Sequence, residues 1–133
     1  MKSTLRVAFR LIFISVLAAG AVLACAREGK SINVDLSWSG KQVEMSVGDL
    51  LIVTLPSDPR TGYSWSSWVS DETILQQSEH VYIGQVGTGG KEIFTFKALT
   101  EGACTIAIDY GPPQQQGEEV TSIQTFDLAV DIQ

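Results

Sequence analysis

The feature that most constrains this chain is an alternation of apolar and polar residues that recurs between Val34 and Ile132. Successive side chains of a strand point to opposite faces, so a period of two predicts strands that each bury one face. Turn-forming residues interrupt the alternation roughly every 8–12 residues, and no segment has the period of a helix. The pattern predicts an all-β fold, an immunoglobulin-like antiparallel β-sandwich of seven to eight strands, after an N-terminal signal segment.

The start of the chain has the composition of a secretory signal peptide. A basic stretch with Lys2, Arg6 and Arg10 precedes the apolar run Leu11–Ala24, whose 14 residues are too few for a comfortable membrane span. We therefore expect residues 1–24 to be a signal peptide that is removed, and we exclude them from the fold.

The end of this segment, Val22-Leu23-Ala24-Cys25, resembles the lipobox of bacterial lipoproteins. The resemblance implies that Cys25 is lipidated, that residues 25–33 form a tether, and that the protein lies in the bacterial cell envelope, in the periplasm or at the outer membrane. The alternative is cleavage after Ala26 and free secretion, because Ala24-Cys25-Ala26 also fits the small-residue rule for cleavage.

The mature chain is acidic. Without the signal, six basic residues stand against 15 acidic ones, a formal net charge of −9. This charge argues against nucleic acid as a partner, and it leaves the lipid anchor as the expected contact with a membrane. About 109 residues remain, enough for one domain at 34–133, which we expect to be a monomer.

The chain is poor in the residues that catalysis and metal binding need. Its one histidine, His80, lies in a polar strand and is expected to face solvent, and one histidine supports few metal sites or triads. Cys104 shares a strand face with Ile106, which predicts a buried apolar residue rather than a nucleophile. The paired carboxylates Asp71-Glu72 and Glu118-Glu119 lie in turn-like segments. We therefore expect no enzyme activity, no cofactor and no metal.

Three segments rich in turn-forming residues interrupt the strands: Asp58–Gly62, Gly84–Gly90 and Gly111–Glu119. In the first, Pro59 has a fixed φ and Gly62 accepts a positive φ, so we expect a stiff, protruding loop. Loops from distant parts of a β-sandwich can meet at one end of the fold, where they often form binding sites.

Aromatic residues follow the first of these loops. Strand parity places Tyr63 and Trp65 on one face and Trp68 on the other. If Trp65 points into the core, Trp68 is therefore expected to point to solvent.

The first loop, Asp58-Pro59-Arg60-Thr61-Gly62-Tyr63, resembles the Asn-Pro-Thr-Thr-Gly-Tyr loop of the chagasin-type inhibitors of papain-like cysteine proteases. Asp58 and Arg60 depart from that pattern. The second family motif, Gly-x-Gly-Gly, is matched by Gly87-Thr88-Gly89-Gly90. The third is Arg-Pro-Trp or Arg-Pro-Phe after a tyrosine; here Tyr110 is followed by Gly111-Pro112-Pro113, without the arginine and the aromatic residue.

The resemblance implies that residues 34–133 are a chagasin-like domain that inhibits papain-like cysteine proteases reversibly and without a covalent bond. The three loops would enter the active-site cleft, with the first loop over the catalytic cysteine and Thr61 nearest to it. The second loop would follow the non-primed subsites and the third the primed side. The residues implied to contact the protease are Pro59, Arg60, Thr61, Gly62, Tyr63, Gly87, Thr88, Gly89, Gly90, Gly111, Pro112 and Pro113.

A different class of function remains open at this point. The chain is also compatible with a non-inhibitory envelope lipoprotein whose immunoglobulin-like domain binds a protein or serves a structural role. In that case the segment Asp58–Tyr63 is only a tight turn, and substitutions in it change stability alone.

Overall fold

The computed structural model describes residues 28–84, 87–113 and 122–133, and these residues form eight strands. The expected signal peptide and Cys25 lie outside the described residues. The strands are β1 (Ser31–Asp35), β2 (Lys41–Met45), β3 (Leu50–Ser57), β4 (Ser64–Val69), β5 (Leu75–Ile83), β6 (Gly90–Ala98), β7 (Gly102–Gly111) and β8 (Gln124–Ile132). Two short 3-10 turns accompany them, Leu36–Trp38 and Pro59–Thr61.

The strands form two four-stranded sheets. One sheet, called sheet A, has the order β1-β3-β6-β5, and the other, sheet B, has the order β2-β8-β7-β4. The predicted immunoglobulin-like sandwich is confirmed, but it is not purely antiparallel, because β1 pairs with β3 and β2 pairs with β8 in parallel. The chain crosses from sheet A to sheet B between β1 and β2, so these neighbours in sequence cannot form an antiparallel hairpin.

The core lies between the inner faces of the two sheets and confirms the period-two prediction. Trp65, Phe94 and Phe126 are among the largest side chains that are fully buried. The apolar run at the start of β3 also alternates, since Leu51, Val53 and Leu55 have no exposed surface while the residues between them are half-buried. Each fully buried side chain of this size stabilises the fold by about 1.5–3 kcal/mol relative to an exposed position.

Strand β1 differs from the alternation read in the sequence at both of its ends. It begins at Ser31, so three residues of the expected tether pair with β3. It stops at Asp35, although the alternation continues to Trp38, because the Asp35 carboxylate accepts a hydrogen bond from the Ser37 backbone N–H at 2.9 Å. Such a local bond competes with strand pairing and starts a turn.

The described parts of the three loops named above lie at one end of the sandwich. Ser57, the last residue of β3, pairs with Gly90, the first residue of β6. Ser64, the first residue of β4, pairs with Gly111, the last residue of β7. The first loop therefore joins the two sheets, while the second and third loops each leave one of the sheets at the same end. In the part of the chain that the structure describes, no helix has the length and apolar character needed to cross a bilayer.

Candidate functional site

The first loop is a single 3-10 turn with a defined start and end. The Asp58 carboxylate accepts the Arg60 backbone N–H at 3.0 Å and so caps the turn, and Pro59 occupies its first position. Gly62 closes the turn with φ at 75°, a conformation that favours glycine over any other residue. The turn chemistry predicted for this loop is therefore present, and stiffness remains what the cap, the proline and this glycine predict.

The Thr61 hydroxyl braces the loop from within. It donates to the Asp58 carbonyl oxygen at 2.7 Å and accepts the Tyr63 backbone N–H at 3.1 Å. Both ends of the turn are thereby joined through one exposed side chain. A group that binds at the tip would meet a preformed backbone rather than a loop that must still be ordered.

Arg60 connects the first loop to the second. Its Nε and Nη2 donate to the two carboxylate oxygens of Asp58, at 2.9 and 2.8 Å, and its Nη1 donates to the Gly87 carbonyl oxygen at 3.0 Å. The hydrogen bonds from Arg60 lower the pKa of Asp58 below its usual value of 3.8, and the same pairing raises the pKa of Arg60. The two residues that depart from the family pattern are therefore bonded to each other.

Tyr110 supports the first loop from below. The Asp58 backbone N–H donates to the Tyr110 hydroxyl at 3.2 Å, the Tyr63 ring meets the Tyr110 ring edge-on at 6.0 Å, and the Trp65 ring lies 4.9 Å away. The expectation that Tyr63 and Trp65 share a face is confirmed, and Trp68 points outward with 60% of its surface exposed. Because Tyr110 is the penultimate residue of β7, it also links the first loop to the start of the third.

Glu92 is a buried acidic residue at the loop stems that the sequence analysis did not single out. Only 4% of it is exposed, and its Oε2 accepts the Ser57 hydroxyl at 2.7 Å and the Trp65 backbone N–H at 3.1 Å. Ser57 and Trp65 flank the first loop and belong to different sheets, so one carboxylate joins both stems. The alternation of strand side chains could have predicted this burial, because Glu92 lies two residues before Phe94 and so points to the same inward face.

His80 is exposed, as expected, but it also has partners within the fold. Its Nε2 lies 2.8 Å from the second oxygen of Glu92, and its ring stacks on Phe94 at a centroid distance of 4.0 Å. The side chain is 36% exposed. A buried carboxylate needs partners, and strand β5 supplies this one.

The second loop has a tight stem and a tip that contacts the first loop. A Cβ added at Gly90 would lie 2.3 Å from the Ile83 carbonyl oxygen, so a side chain there would displace backbone. At the tip, Gly87 has φ at 86°, and its carbonyl oxygen receives the bond from Arg60. Gln85 and Val86 lie outside the described residues.

The third loop is described only at its start. Gly111 ends β7, and Pro112 and Pro113 follow as exposed residues. Glu118-Glu119 and the rest of the loop as far as residue 121 lie outside the described residues. The structure thus brings the first loop to the second through Arg60 and to the end of β7 through Tyr110.

The described residues contain little that points to catalysis. Cys104 is buried, as expected, and burial raises the pKa of its thiol, which keeps it in its unreactive form. Across residues 28–84, 87–113 and 122–133, no three His, Cys, Asp or Glu side chains are grouped so as to hold a metal ion. The geometry favours a preformed protein-binding edge.

Comparison with solved structures identifies the same fold. A cysteine protease inhibitor from Entamoeba histolytica superposes with a TM-score of 0.68 at 20% identity, over 78% of this chain and 96% of that one. The solution structure of amebosin gives a TM-score of 0.60 at 22% identity over 78% and 98% of the two chains. The inhibitor PbICP-C, solved in complex with falcipain-2, gives 0.55 at 17% identity over 79% and 100%.

Sequence comparison identifies the family. Amoebiasin-2 of Entamoeba histolytica is 28% identical over 93 residues, which cover 66% of this chain and 76% of that protein. The family described as "Chagasin family peptidase inhibitor I42" matches residues 44–130, which include all three loops and most of both sheets. The chain therefore belongs to the chagasin family of peptidase inhibitors.

Proposed function

We propose that this protein inhibits papain-like cysteine proteases reversibly and without a covalent bond, by inserting three loops into the active-site cleft. The observation that carries the proposal is the first loop, which is capped by Asp58, braced by Thr61 and bonded through Arg60 to the second loop. A loop that is already ordered loses little conformational entropy on binding, which raises affinity.

The proposed contact residues are those at the tips of the three loops. The first loop lies over the catalytic cysteine of the protease with Thr61 nearest, the second along the non-primed subsites, and the third along the primed side. The contact set is Pro59, Arg60, Thr61, Gly62, Tyr63, Gly87, Thr88, Gly89, Gly90, Gly111, Pro112 and Pro113. The family assignment supports this role, as does the capture of the related PbICP-C in a complex with falcipain-2.

The same loop geometry is compatible with resistance to cleavage. The residues Pro59–Thr61 form a 3-10 turn, so the peptide bonds at the tip are not presented in an extended strand. The protein acts by occupying the cleft and is itself not an enzyme.

The first test is a titration of the chain from Ala26 onward against papain with a fluorogenic peptide substrate. We expect dose-dependent inhibition at sub-micromolar concentration that is lost on dilution, as reversible binding requires. A folded protein that inhibits none of several papain-like enzymes would overturn the proposal and favour the non-inhibitory envelope lipoprotein.

A bulky substitution separates binding from folding. A Cβ added at Gly89 meets only the Ser57 carbonyl oxygen, at 3.8 Å, so Gly89→Trp fits the free protein while filling the space that a cleft wall would occupy. We expect this variant to keep the thermal stability of the wild type and to lose inhibition by about a hundredfold. The matched control is Leu99→Trp, at a position that is 38% exposed at the opposite end of the sandwich.

We also propose that the protein is a monomer anchored through a lipid on Cys25 in the bacterial envelope. The topology supports this arrangement, because β1 runs parallel to β3 and Ser31 pairs with Leu50, the residue of β3 that is farthest from the loops. A tether at that end leaves the loops about 25 Å away, by the rise of an eight-residue strand. Cys25→Ser should move the protein from the membrane fraction to the soluble fraction; unchanged membrane association would contradict the lipid anchor.

A further inference from the structure

Arg60 spans two loops that are far apart in the sequence. Two of its nitrogens take both carboxylate oxygens of Asp58, and the third donates to the Gly87 carbonyl oxygen, 27 residues away. A guanidinium group can do this because its donors form a rigid planar fork, which a lysine ammonium lacks. One side chain therefore fixes a distance between the tips of the first and second loops.

The Asp58 end of this bridge is held by several further hydrogen bonds. Its carboxylate also accepts the Arg60 backbone N–H, while its backbone N–H donates to the buried Tyr110 hydroxyl and its carbonyl oxygen accepts the Thr61 hydroxyl. Moving Asp58 would break the cap, the brace and the link to β7 together. The guanidinium is thus attached to a fixed point of the first loop.

At the other end of the bridge, a hydrogen bond from Arg60 joins Gly87, at the tip of the second loop, to the first loop. The stem of the second loop is tight, because a Cβ at Gly84 or Gly90 would lie within 2.7 Å of the Tyr82 hydroxyl oxygen. A Cβ added at the tip residue Gly87 would meet nothing within 4 Å, so the space on that side of the backbone is open. The hydrogen bond from Arg60 reaches the carbonyl oxygen of this residue at 3.0 Å.

We infer that Arg60 is a positioning residue that holds the second loop against the first, so that both loops enter a protease cleft as one surface. The first half of this statement concerns the free protein, and the second half rests on the proposed function. Asp58 acts on the second loop through Arg60. The two positions at which the first loop differs from the family motif therefore function as a pair.

Removing the Arg60 side chain should weaken binding to a protease by a measurable factor. If the second loop then spends only a fifth of its time in the binding geometry, the apparent dissociation constant rises about fivefold, because it scales with the inverse of the competent fraction. The first loop, which keeps its own cap and brace, should not change. If Arg60 only stabilised the fold as a whole, removing it would lower the overall stability but would not loosen the second loop selectively.

The primary experiment measures backbone order parameters by 15N relaxation on the full chain, solubilised in detergent, without any protease. We expect the order parameter of the Gly87 amide to be about 0.8 in the wild type and to fall below about 0.6 in Arg60→Thr. The order parameters of the Thr61 and Tyr63 amides should stay unchanged. Unchanged order at Gly87 in a folded Arg60→Thr protein would overturn the inference.

Two controls separate the bridge from its charge. Lys91→Thr removes a cation from the exposed residue beside Gly90 and should leave the Gly87 order parameter unaltered. Asp58→Asn can still cap the turn but weakens the ion pair, and adding it to Arg60→Thr should lower the order at Gly87 no further. Additive losses in the double variant would show that Asp58 acts on the second loop by another route.

A measurement on the unmutated protein guards against misfolding of the variants. The side chain of Arg60 is 58% exposed, so raising KCl from 0.05 to about 0.5 M screens its pairing with Asp58. We expect the Gly87 order parameter to fall with salt. If it stays constant, the second loop is held by other means and the inference fails.

Inhibition of papain by the same variants distinguishes the two proposals. A fivefold weaker inhibition by Arg60→Thr with an unaltered Lys91→Thr control is the expected result. If Gly87 loosens but no protein inhibits, the wild type included, the proposed function is wrong and the positioning role stands. If the wild type inhibits and Gly87 does not loosen, the positioning role is wrong and the proposed function stands.

Discussion

At the scale of single residues, the buried carboxylate of Glu92 is the group on which the stems of the first loop depend. It accepts hydrogen bonds from Ser57 in sheet A and from Trp65 in sheet B, and His80 takes its other oxygen. Each of these donors would be left without its acceptor if the carboxylate were removed. An unsatisfied buried donor costs about 1–3 kcal/mol.

We predict that Glu92→Ala lowers the free energy of unfolding by about 3 kcal/mol, because it leaves the Trp65 amide and the Ser57 hydroxyl unpaired. Glu92→Gln keeps an acceptor oxygen for Trp65 and should cost clearly less. Urea denaturation measures both values, and Glu79→Ala, at an exposed position of β5, is the control with an expected change under about 0.5 kcal/mol. Equal losses for Glu92→Ala and Glu79→Ala would contradict this account of the loop stems.

The pairing of Asp58 with Arg60 should depend on pH. The Arg60 hydrogen bonds lower the pKa of Asp58 below 3.8, so the ionised form is favoured by the fold. A lowered pKa contributes stability above the pKa of the unfolded chain, and this contribution is lost as the pH falls through the folded value. We expect the link between Asp58, Arg60 and Gly87 to be intact at pH 5 and to open only in more acidic solution.

The carboxyl 13C shift of Asp58 followed by pH titration measures this pKa directly. Arg60→Thr should move the pKa of Asp58 back up towards 3.8, because the first cause of the shift is the side-chain hydrogen bond from Arg60. An Asp58 pKa that does not respond to Arg60→Thr would show that the two side chains are not paired in solution.

At the scale of elements, the turn Pro59–Thr61 depends on the backbone conformation of Gly62. We predict that Gly62→Ala costs about 1 kcal/mol, since its φ of 75° strains any other residue while no atom lies within 4 Å of the added Cβ. Gly40→Ala is a matched control, with φ at 83° and equally open surroundings, but away from the loops. Both variants should lose similar stability in thermal unfolding, whereas only Gly62→Ala should weaken inhibition of papain.

The start of the third loop is the element in which this chain differs most from the family motif. Gly111-Pro112-Pro113 lacks the arginine and the aromatic residue of Arg-Pro-Trp, and an anchor of that kind often supplies about 2 kcal/mol or more. We predict that restoring Arg-Pro-Trp at these positions lowers the inhibition constant about ten- to a hundredfold. No gain in a folded variant would indicate that this segment makes no contact with the protease.

At the scale of the whole molecule, the parallel pairing of β1 with β3 separates the N-terminus from the loops. Ser31 lies opposite Leu50, while the first loop follows Ser57 at the other end of the same strand. We predict that a folded domain fused before Ser31 leaves inhibition of papain unchanged within twofold. The same domain inserted after Pro113 should abolish it, and strong inhibition by the insertion variant would show that the loop end is not the binding surface.

Much of the fold follows from local patterns. The period of two predicted the buried faces of β6, β7 and β8, because the alternation of strand side chains is a property of the backbone itself. The turn chemistry of Pro59 and Gly62 predicted a stiff first loop for the same local reason. The relative direction of two paired strands depends on residues that are distant in the sequence. The parallel pairs that β1 and β2 form were therefore not predicted.

By itself, the sequence determined the β-sandwich, the first loop and the position of its aromatic residues, since each depends on neighbours within a few residues. Only the tertiary structure decided that Arg60 reaches Gly87, 27 residues away, and that Glu92 meets Ser57, 35 residues away. These contacts depend on which strands pair and in what register, and no local preference encodes a pairing between distant segments. The physical link between the loops thus results from the sheet topology, although the sequence analysis had already placed Arg60 and Gly87 in the two loops.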